Sequence, residues 1–290
     1  MKALAFDVGG TKIYSAVIDE NGKFLTEIEK NSTPRDLNKI KEIFLSVIAK
    51  HEADVDVIAF STAGACNNEH TGILGSTGNI VKGYSDFDFQ SLSKTKPVYV
   101  ENDANCAAWA EHILGATKGM PNSVMLTLGT GVGGGIIVND VILKGKSGSA
   151  GEMHFKMRTD RHRPCTCGSY DCFETYCSGN GLKKTAEEVT DNPDVTTYDV
   201  IDGIKSGDKT MQEAFDKWQN DILEGCIGLA NIFDPDCIVF SGSMAQFIDV
   251  DYLEKATNKE IITQPTKILK ATTGNYAGMI GAALLALGGK

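Results

Sequence analysis

Apolar positions along the chain fall into short runs broken by glycine turns, interspersed with segments of helical spacing. Ala5-Phe6-Asp7-Val8-Gly9-Gly10-Thr11-Lys12-Ile13 continues through Ala16-Val17-Ile18, a Glu20-Asn21-Gly22 turn and Lys23-Phe24-Leu25. That pattern predicts strand, glycine turn, strand, tight turn, strand. It returns half a chain later. Residues 124–128 lead into Gly129-Thr130-Gly131-Val132-Gly133-Gly134-Gly135, then Ile136-Ile137-Val138, an Asn139-Asp140 turn and Val141-Ile142-Leu143. Two copies of one supersecondary unit imply two similar domains facing each other, each offering a glycine turn to the cleft between them.

Leu37, Ile40, Ile43, Phe44, Val47 and Ile48 recur at helical spacing, so an amphipathic helix is predicted over residues 36–51. Strands over residues 55–60 and 97–100 run into Ser61-Thr62-Ala63-Gly64 and Glu101-Asn102-Asp103. An alanine-rich helix over 104–114 then starts from Asn102 or Asp103. Helical spacing recurs around 179–189 and 211–233, a strand over 237–240 ends in Ser241-Gly242-Ser243, and a nearly all-apolar helix closes the chain at 276–287. Helix breakers cluster at 115–121. The expected division is therefore a smaller α/β domain over 1–117, completed by 276–290, and a larger α/β domain over 118–275.

Composition narrows the functions. With 290 residues, 42% hydrophobic and 23% charged, the chain can bury two domain cores, and disorder is excluded. Twenty-eight basic residues against 38 acidic ones give a net charge of −10, which argues against nucleic acid as a partner. A small anion held by backbone amides stays compatible with that charge. The longest apolar stretch, 279–289, is far below the ~20 residues of a membrane span, and the start lacks the pattern of a signal peptide. A cytoplasmic protein without a membrane partner is expected. Half of the eight cysteines fall together, Cys165, Cys167, Cys172 and Cys177, which in a reducing compartment points to metal.

Glycines between strands let amides turn toward a phosphate that a Cβ would obstruct. Gly9-Gly10-Thr11-Lys12 adds a hydroxyl and a cation, and Asp7 is placed to hold a magnesium ion directly or through water. No Gly-Lys-Ser/Thr opens a helix, so this is not a P-loop.

Asp7-Val8-Gly9-Gly10-Thr11-Lys12, Asn102-Asp103-Ala104-Asn105-Cys106-Ala107-Ala108, Leu128-Gly129-Thr130-Gly131-Val132-Gly133-Gly134-Gly135, Gly151-Glu152, and Cys165-Thr166-Cys167-Gly168 with Cys172-Phe173-Glu174 occur in the order seen in the ROK family of bacterial sugar kinases. The resemblance spans nearly the whole chain. It implies a two-domain actin/hexokinase-like (ribonuclease H-like) ATPase fold with an interdomain cleft, and transfer of the γ-phosphate of ATP, with Mg²⁺, to the 6-hydroxyl of a hexose. Glucose, N-acetylglucosamine and N-acetylmannosamine are the expected substrates, with fructose, a sugar-sensing regulator and an actin-like ATPase as alternatives. By the same resemblance Asp103 is the general base, and Gly64, Asn79, Asn102, Asp103, Glu152, His154 and Glu174 line the sugar site. Asp7, Gly9, Gly10, Thr11, Lys12, Thr130, Gly131, Gly133 and Gly242 would hold ATP and its phosphates. A homodimer is expected from the family alone.

The family also implies structural zinc on segment 152–177. Cys165, Cys167 and Cys172 supply three thiolates, and zinc wants four ligands. The family histidine stands three residues after the glutamate, where this chain has Phe155. His154 is one place early, so the fourth ligand is His154 through a local backbone shift, His162 or Cys177.

Overall fold

The computed structural model describes residues 1–75 and 80–288. The chain opens with β1 (Lys2–Val8) and β2 (Lys12–Asp19), paired antiparallel, followed by β3 (Glu29–Ser32) and α1 (Leu37–His51). Asp36 caps α1 by accepting from the amides of Asn38 at 2.8 Å and Lys39 at 3.1 Å. Next come β4 (Val57–Thr62), the short pair β5 (Ala65–Cys66) and β6 (Ile73–Gly75), β7 (Val98–Asn102) and α2 (Asp103–Leu114). The sheet order is β3-β2-β1-β4-β7, with β1, β4 and β7 parallel.

The second half begins with β8 (Ser123–Leu128), β9 (Val132–Val138) and β10 (Val141–Ile142), then α3 (Phe173–Cys177), α4 (Gly179–Thr190), α5 (Thr197–Ser206) and α6 (Lys209–Phe233). It ends with β11 (Cys237–Ser241), α7 (Val250–Glu260), β12 (Lys267–Lys270) and α8 (Ala277–Gly288). Its sheet order, β10-β9-β8-β11-β12, repeats that of the first sheet strand for strand. The glycine-hairpin echo in the sequence is therefore an echo of topology.

One expected strand moves. Residues 23–25 contribute only an isolated bridge, Ile18 to Phe24, and β3 forms instead at Glu29–Ser32. The reason is local: the Val17 amide donates to the Thr26 hydroxyl at 3.0 Å, so the ladder is interrupted there.

The chain divides into two compact units, Met1–Pro121 with Gly135–Gly151 and Thr272–Lys290, and Asn122–Gly134 with Glu152–Ala271. In the first, Phe6 and Phe60 stack at 4.6 Å, and Phe44 of α1 meets both rings edge-on at 5.4 and 5.0 Å. All three are fully buried, and each contributes roughly 1.5–3 kcal/mol by leaving water. In the second unit, Trp218 of α6 is fully buried and donates to the carbonyls of Cys177 at 3.1 Å and Ser178 at 3.2 Å.

The small residues of α8 permit close approach. A Cβ at Gly281 would lie 1.7 Å from the carbonyl oxygen of Cys106 in α2. Gly281→Val is expected to lower stability by about 1–3 kcal/mol or more through overpacking, read as a lower urea midpoint. An unchanged midpoint would contradict this helix contact.

Candidate active site

Parallel register gathers the first group of expected residues. Asp7 pairs with Ser61 across β1 and β4, and Thr62 pairs with Asn102 across β4 and β7. The ends of these strands therefore bring Asp7, the Gly9 turn, Gly64 and Asn102 to one edge of the sheet. In the β1–β2 turn, the Gly9 amide donates to the Lys12 carbonyl at 3.0 Å, and the Thr33 hydroxyl donates to the Gly9 carbonyl at 2.7 Å. A Cβ on Gly9 would meet nothing nearer than that Lys12 oxygen, at 3.5 Å. The protein itself therefore does not require glycine there, and the space is open to a ligand. Thr11 and Lys12 are exposed beside Gly10.

Asp7 is half-buried and accepts from the Ser61 hydroxyl at 2.8 Å. Gly278 of α8 faces the pair, since a Cβ there would come within 2.6 Å of Ser61 Oγ and 2.9 Å of Asp7 Oδ1. Desolvation pushes the Asp7 carboxyl above the usual carboxylate range, and the Ser61 hydrogen bond only partly offsets it. Ser61 went unnoticed in the sequence because only strand register makes it Asp7's neighbour.

Asn102 caps α2, its Oδ1 accepting from the amides of Ala104 at 2.9 Å and Asn105 at 3.1 Å. Its Nδ2 donates to the Gly64 carbonyl at 3.1 Å, where Gly64 turns with φ 109°. Asp103 is exposed at the helix start, in the first turn at the positive end of α2. Asn79 lies outside the described residues.

The second unit gathers the rest. Thr130, Gly131 and Gly133 form the turn and edge of the β8–β9 hairpin. Glu174 of α3 accepts from the Val132 amide at 3.0 Å, and its carboxylate fills the place a Cβ on Gly131 would take, 2.5 Å away. Thr130 and Glu174 also line a cavity of about 270 Å³ whose wall includes Asn180 and Lys184, two polar residues that carry no motif in the sequence. Gly242 has φ 87°, and a Cβ there would strike the Leu128 carbonyl at 2.4 Å, so the fold requires this glycine.

The metal segment resolves its own ambiguity. His154, Cys165, Cys167 and Cys172 place their donor atoms within 4.8 Å of one another. His154 Nδ1 lies 3.8 Å from Cys165 Sγ, and Cys167 Sγ lies 3.6 Å from Cys172 Sγ. A tetrahedron with zinc–sulfur arms of ~2.3 Å has edges of about 3.8 Å, close to both separations, so the donor set fits zinc. A three-residue turn, with the His154 amide donating to the Glu152 carbonyl at 2.9 Å, brings the imidazole in one position early. His154 Nε2 also lies 3.9 Å from the exposed Glu152 carboxylate. Phe155 instead stacks on Phe173 at 4.8 Å. His162 is 79% exposed and pairs with Asp171, and Cys177 is fully buried, so neither joins the cluster.

The same segment has a second anchor. Arg161 and Arg163 flank the ring of Tyr176 at 4.2 and 4.5 Å. Arg161 pairs with Asp221, and Arg163 grips Glu188 through two bonds of 2.8 and 2.7 Å.

The ROK family profile matches residues 3–288. The chain belongs to the ROK family. A Streptomyces coelicolor glucokinase is 30% identical, with 98% of this chain and 96% of the relative covered. An N-acetylmannosamine kinase from Haemophilus influenzae is 28% identical over 98% of this chain and 94% of its own. Among solved structures, a ROK family glucokinase from Streptomyces griseus in complex with glucose and AMPPNP aligns with TM-score 0.80 and 28% identity, over 98% of this chain and 99% of that one. This ROK protein has the two-domain, actin-like α/β fold expected from its motifs. Among the described residues, no helix is long and apolar enough to cross a membrane.

The Asp7 environment gives a pH-dependent expectation. A carboxyl whose folded pKa is raised binds its proton more tightly when folded, so stability is lost as pH rises from the unfolded pKa through the folded one. Asp7→Asn is therefore expected to stabilise the ligand-free protein at neutral pH and to make no difference well below the carboxyl range. Urea midpoints of both proteins across pH 3–8 check this, and a less stable variant at pH 7 would count against it.

Proposed function

We propose that this ROK protein is an ATP-dependent kinase acting on the 6-hydroxyl of a hexose, glucose or an N-acetylhexosamine. The observation that carries the proposal is the Asn102–Asp103 helix start: an exposed carboxylate held at the end of β7 by a cap that also clasps Gly64. The named relatives, among them the glucokinase bound to glucose and AMPPNP, support the same reading.

In this mechanism Asp103 accepts the proton of the sugar 6-hydroxyl while that oxygen attacks the γ-phosphorus of ATP. The bond from the γ-phosphorus to the bridging oxygen breaks, and ADP leaves. Asn102, Gly64, Glu152, His154 and Glu174 are assigned to the sugar, with Asn79 beside them. Gly9, Gly10, Thr11 and Lys12 on one hairpin and Thr130, Gly131 and Gly133 on the other are assigned to the phosphates, and Gly242 to the nucleotide. Asp7 is the residue here that would hold a magnesium ion, which would supply neutralisation of the phosphate charge. The raised Asp7 pKa suits that role, since a carboxylate desolvated by its surroundings gains most when a cation arrives. Cys165, Cys167, Cys172 and His154 would hold zinc, which would fix the segment carrying Glu152 and Glu174.

Incubation with ATP, Mg²⁺ and a panel of hexoses is expected to release ADP, with the highest kcat/KM on glucose or an N-acetylhexosamine. Asp103→Asn is expected to retain sugar binding and lose about 10²–10⁴-fold in kcat. Absence of sugar-dependent ADP release from the parent would overturn the kinase reading.

Elemental analysis of protein purified without chelator is expected to find about one zinc per chain. Cys165→Ser should lose the metal and lower the thermal midpoint by several degrees. Metal-free protein of unchanged midpoint would remove zinc from the proposal.

A further inference from the structure

Directly before the Asn102 cap stands Glu101, whose carboxylate is fully buried. Its Oε1 accepts from the amide of Asn102, the cap of α2, at 2.8 Å and from Nδ2 of Asn105 in the first turn of α2 at 3.1 Å. Its Oε2 accepts from Lys144 Nζ at 2.7 Å and lies 3.0 Å from His70 Nδ1. Lys144 stands two residues past β10 and also donates to the Asn67 carbonyl at 3.1 Å, while His70 belongs to the loop between β5 and β6. Three separate stretches of chain thus converge on one carboxylate. A buried ion pair is weak as a source of stability compared with apolar packing of the same volume. Its placement against the helix start therefore points to a different use.

His70 strengthens this. It is a non-glycine residue with φ 58°, a conformation held by its surroundings: its ring stacks on Tyr99 at 4.2 Å, and its Nε2 lies 3.2 Å from the Tyr99 hydroxyl. Its Nδ1 faces both Glu101 Oε2 at 3.0 Å and Lys144 Nζ at 3.2 Å, so the imidazole is wedged between the two charged groups and the Tyr99 hydroxyl.

Resting on the kinase reading, we propose that Glu101, Lys144 and His70 are positioning residues for the Asp103 base. Glu101 fixes the backbone of Asn102 and the side chain of Asn105, so Asp103 leaves the helix start at one angle. Lys144 cancels the Glu101 charge, which would otherwise stand two residues from Asp103 and oppose its ionisation. The other titratable groups around Glu101 are Tyr99 of β7, Cys66 of β5 and Cys106 of α2, all pushed up by burial and hence neutral, and Asp7 of β1. Among these neighbours Lys144 is the fixed cation facing Glu101.

The test compares kcat, sugar KM and the acid limb of kcat/KM against pH for the parent, Lys144→Met, Lys144→Arg and the double variant Glu101→Gln/Lys144→Met. Lys144→Met is expected to lower kcat by roughly 10²-fold, more than KM rises, and to move the acid limb to higher pH. The direction follows because an uncompensated Glu101 favours the protonated base. Lys144→Arg should retain most of the rate. The double variant, which carries no buried charge, should return the limb to the parent's position while kcat stays about tenfold low. It also decides the matter if Lys144→Met fails to fold. Folded variants with the parent's kcat and limb, or a double variant that keeps the limb shift, would overturn the positioning cluster alone. A parent that phosphorylates no sugar would instead remove the kinase reading, and the base with it.

Discussion

Everything assigned to the first unit depends on the parallel register of β1, β4 and β7. Because Asp7 aligns with Ser61 and Ser61 with Glu101, three polar side chains share one row near the C-terminal ends of β1, β4 and β7, whose preceding rows are largely apolar. The next row carries Thr62 and Asn102. A slip of one residue in either pairing would turn Glu101 or Asp7 to the opposite face, where the Phe6–Phe60 stack lies. The hydrophobic face therefore enforces the register, and the register places the chemistry. Packing and site geometry are therefore coupled in this sheet, because the Phe44 cluster packs on the strands whose register aligns Asp7 with Ser61.

The glycines divide by what requires them. Gly242, Gly278 and Gly281 are required by the fold, because backbone or side-chain atoms occupy the place of a Cβ. Gly131 leaves room for a carboxylate, that of Glu174, which a side chain there would displace. Gly9 and Gly129 face little or nothing of the protein itself, with no atom within 4 Å of a Cβ on Gly129. In sequence nothing in their neighbours tells these glycines apart by cause, with Gly131 between Thr130 and Val132 and Gly281 between Ile280 and Ala282. Their different reasons emerge only in space.

Much of the architecture was legible in the chain. The doubled glycine hairpin announced two sheets of like topology, and α1, α2, α4, α6 and α8 follow from apolar spacing because each has a long buried stripe or face. The elements that escaped are short or weakly patterned. β12 is a four-residue Lys-Ile-Leu-Lys strand, and α7 buries only Leu253 and Thr257. α5 buries Val200 and Ile201 alone and is signalled chiefly by its Thr196/Asp199 capping box. The metal donors were legible as residue types but not as a set, because a spacing rule cannot foresee a turn between Glu152 and His154. Glu101 and Lys144 were illegible for a plainer reason: 43 residues separate them, and nothing local marks either as a partner.

The segment between Glu152 and α4 carries two clusters of unlike chemistry, three cysteines with an imidazole at one side and the Tyr176 ring with two guanidinium groups at the other. With zinc held by the first as proposed, a chelator would act there and leave the second untouched, whereas strong salt would weaken the second by screening the ion pairs of its arginines. Loss of such a metal would loosen one corner only: Glu152, two residues from His154, would gain freedom, while Glu174 would keep its grip on the β8–β9 hairpin through Val132.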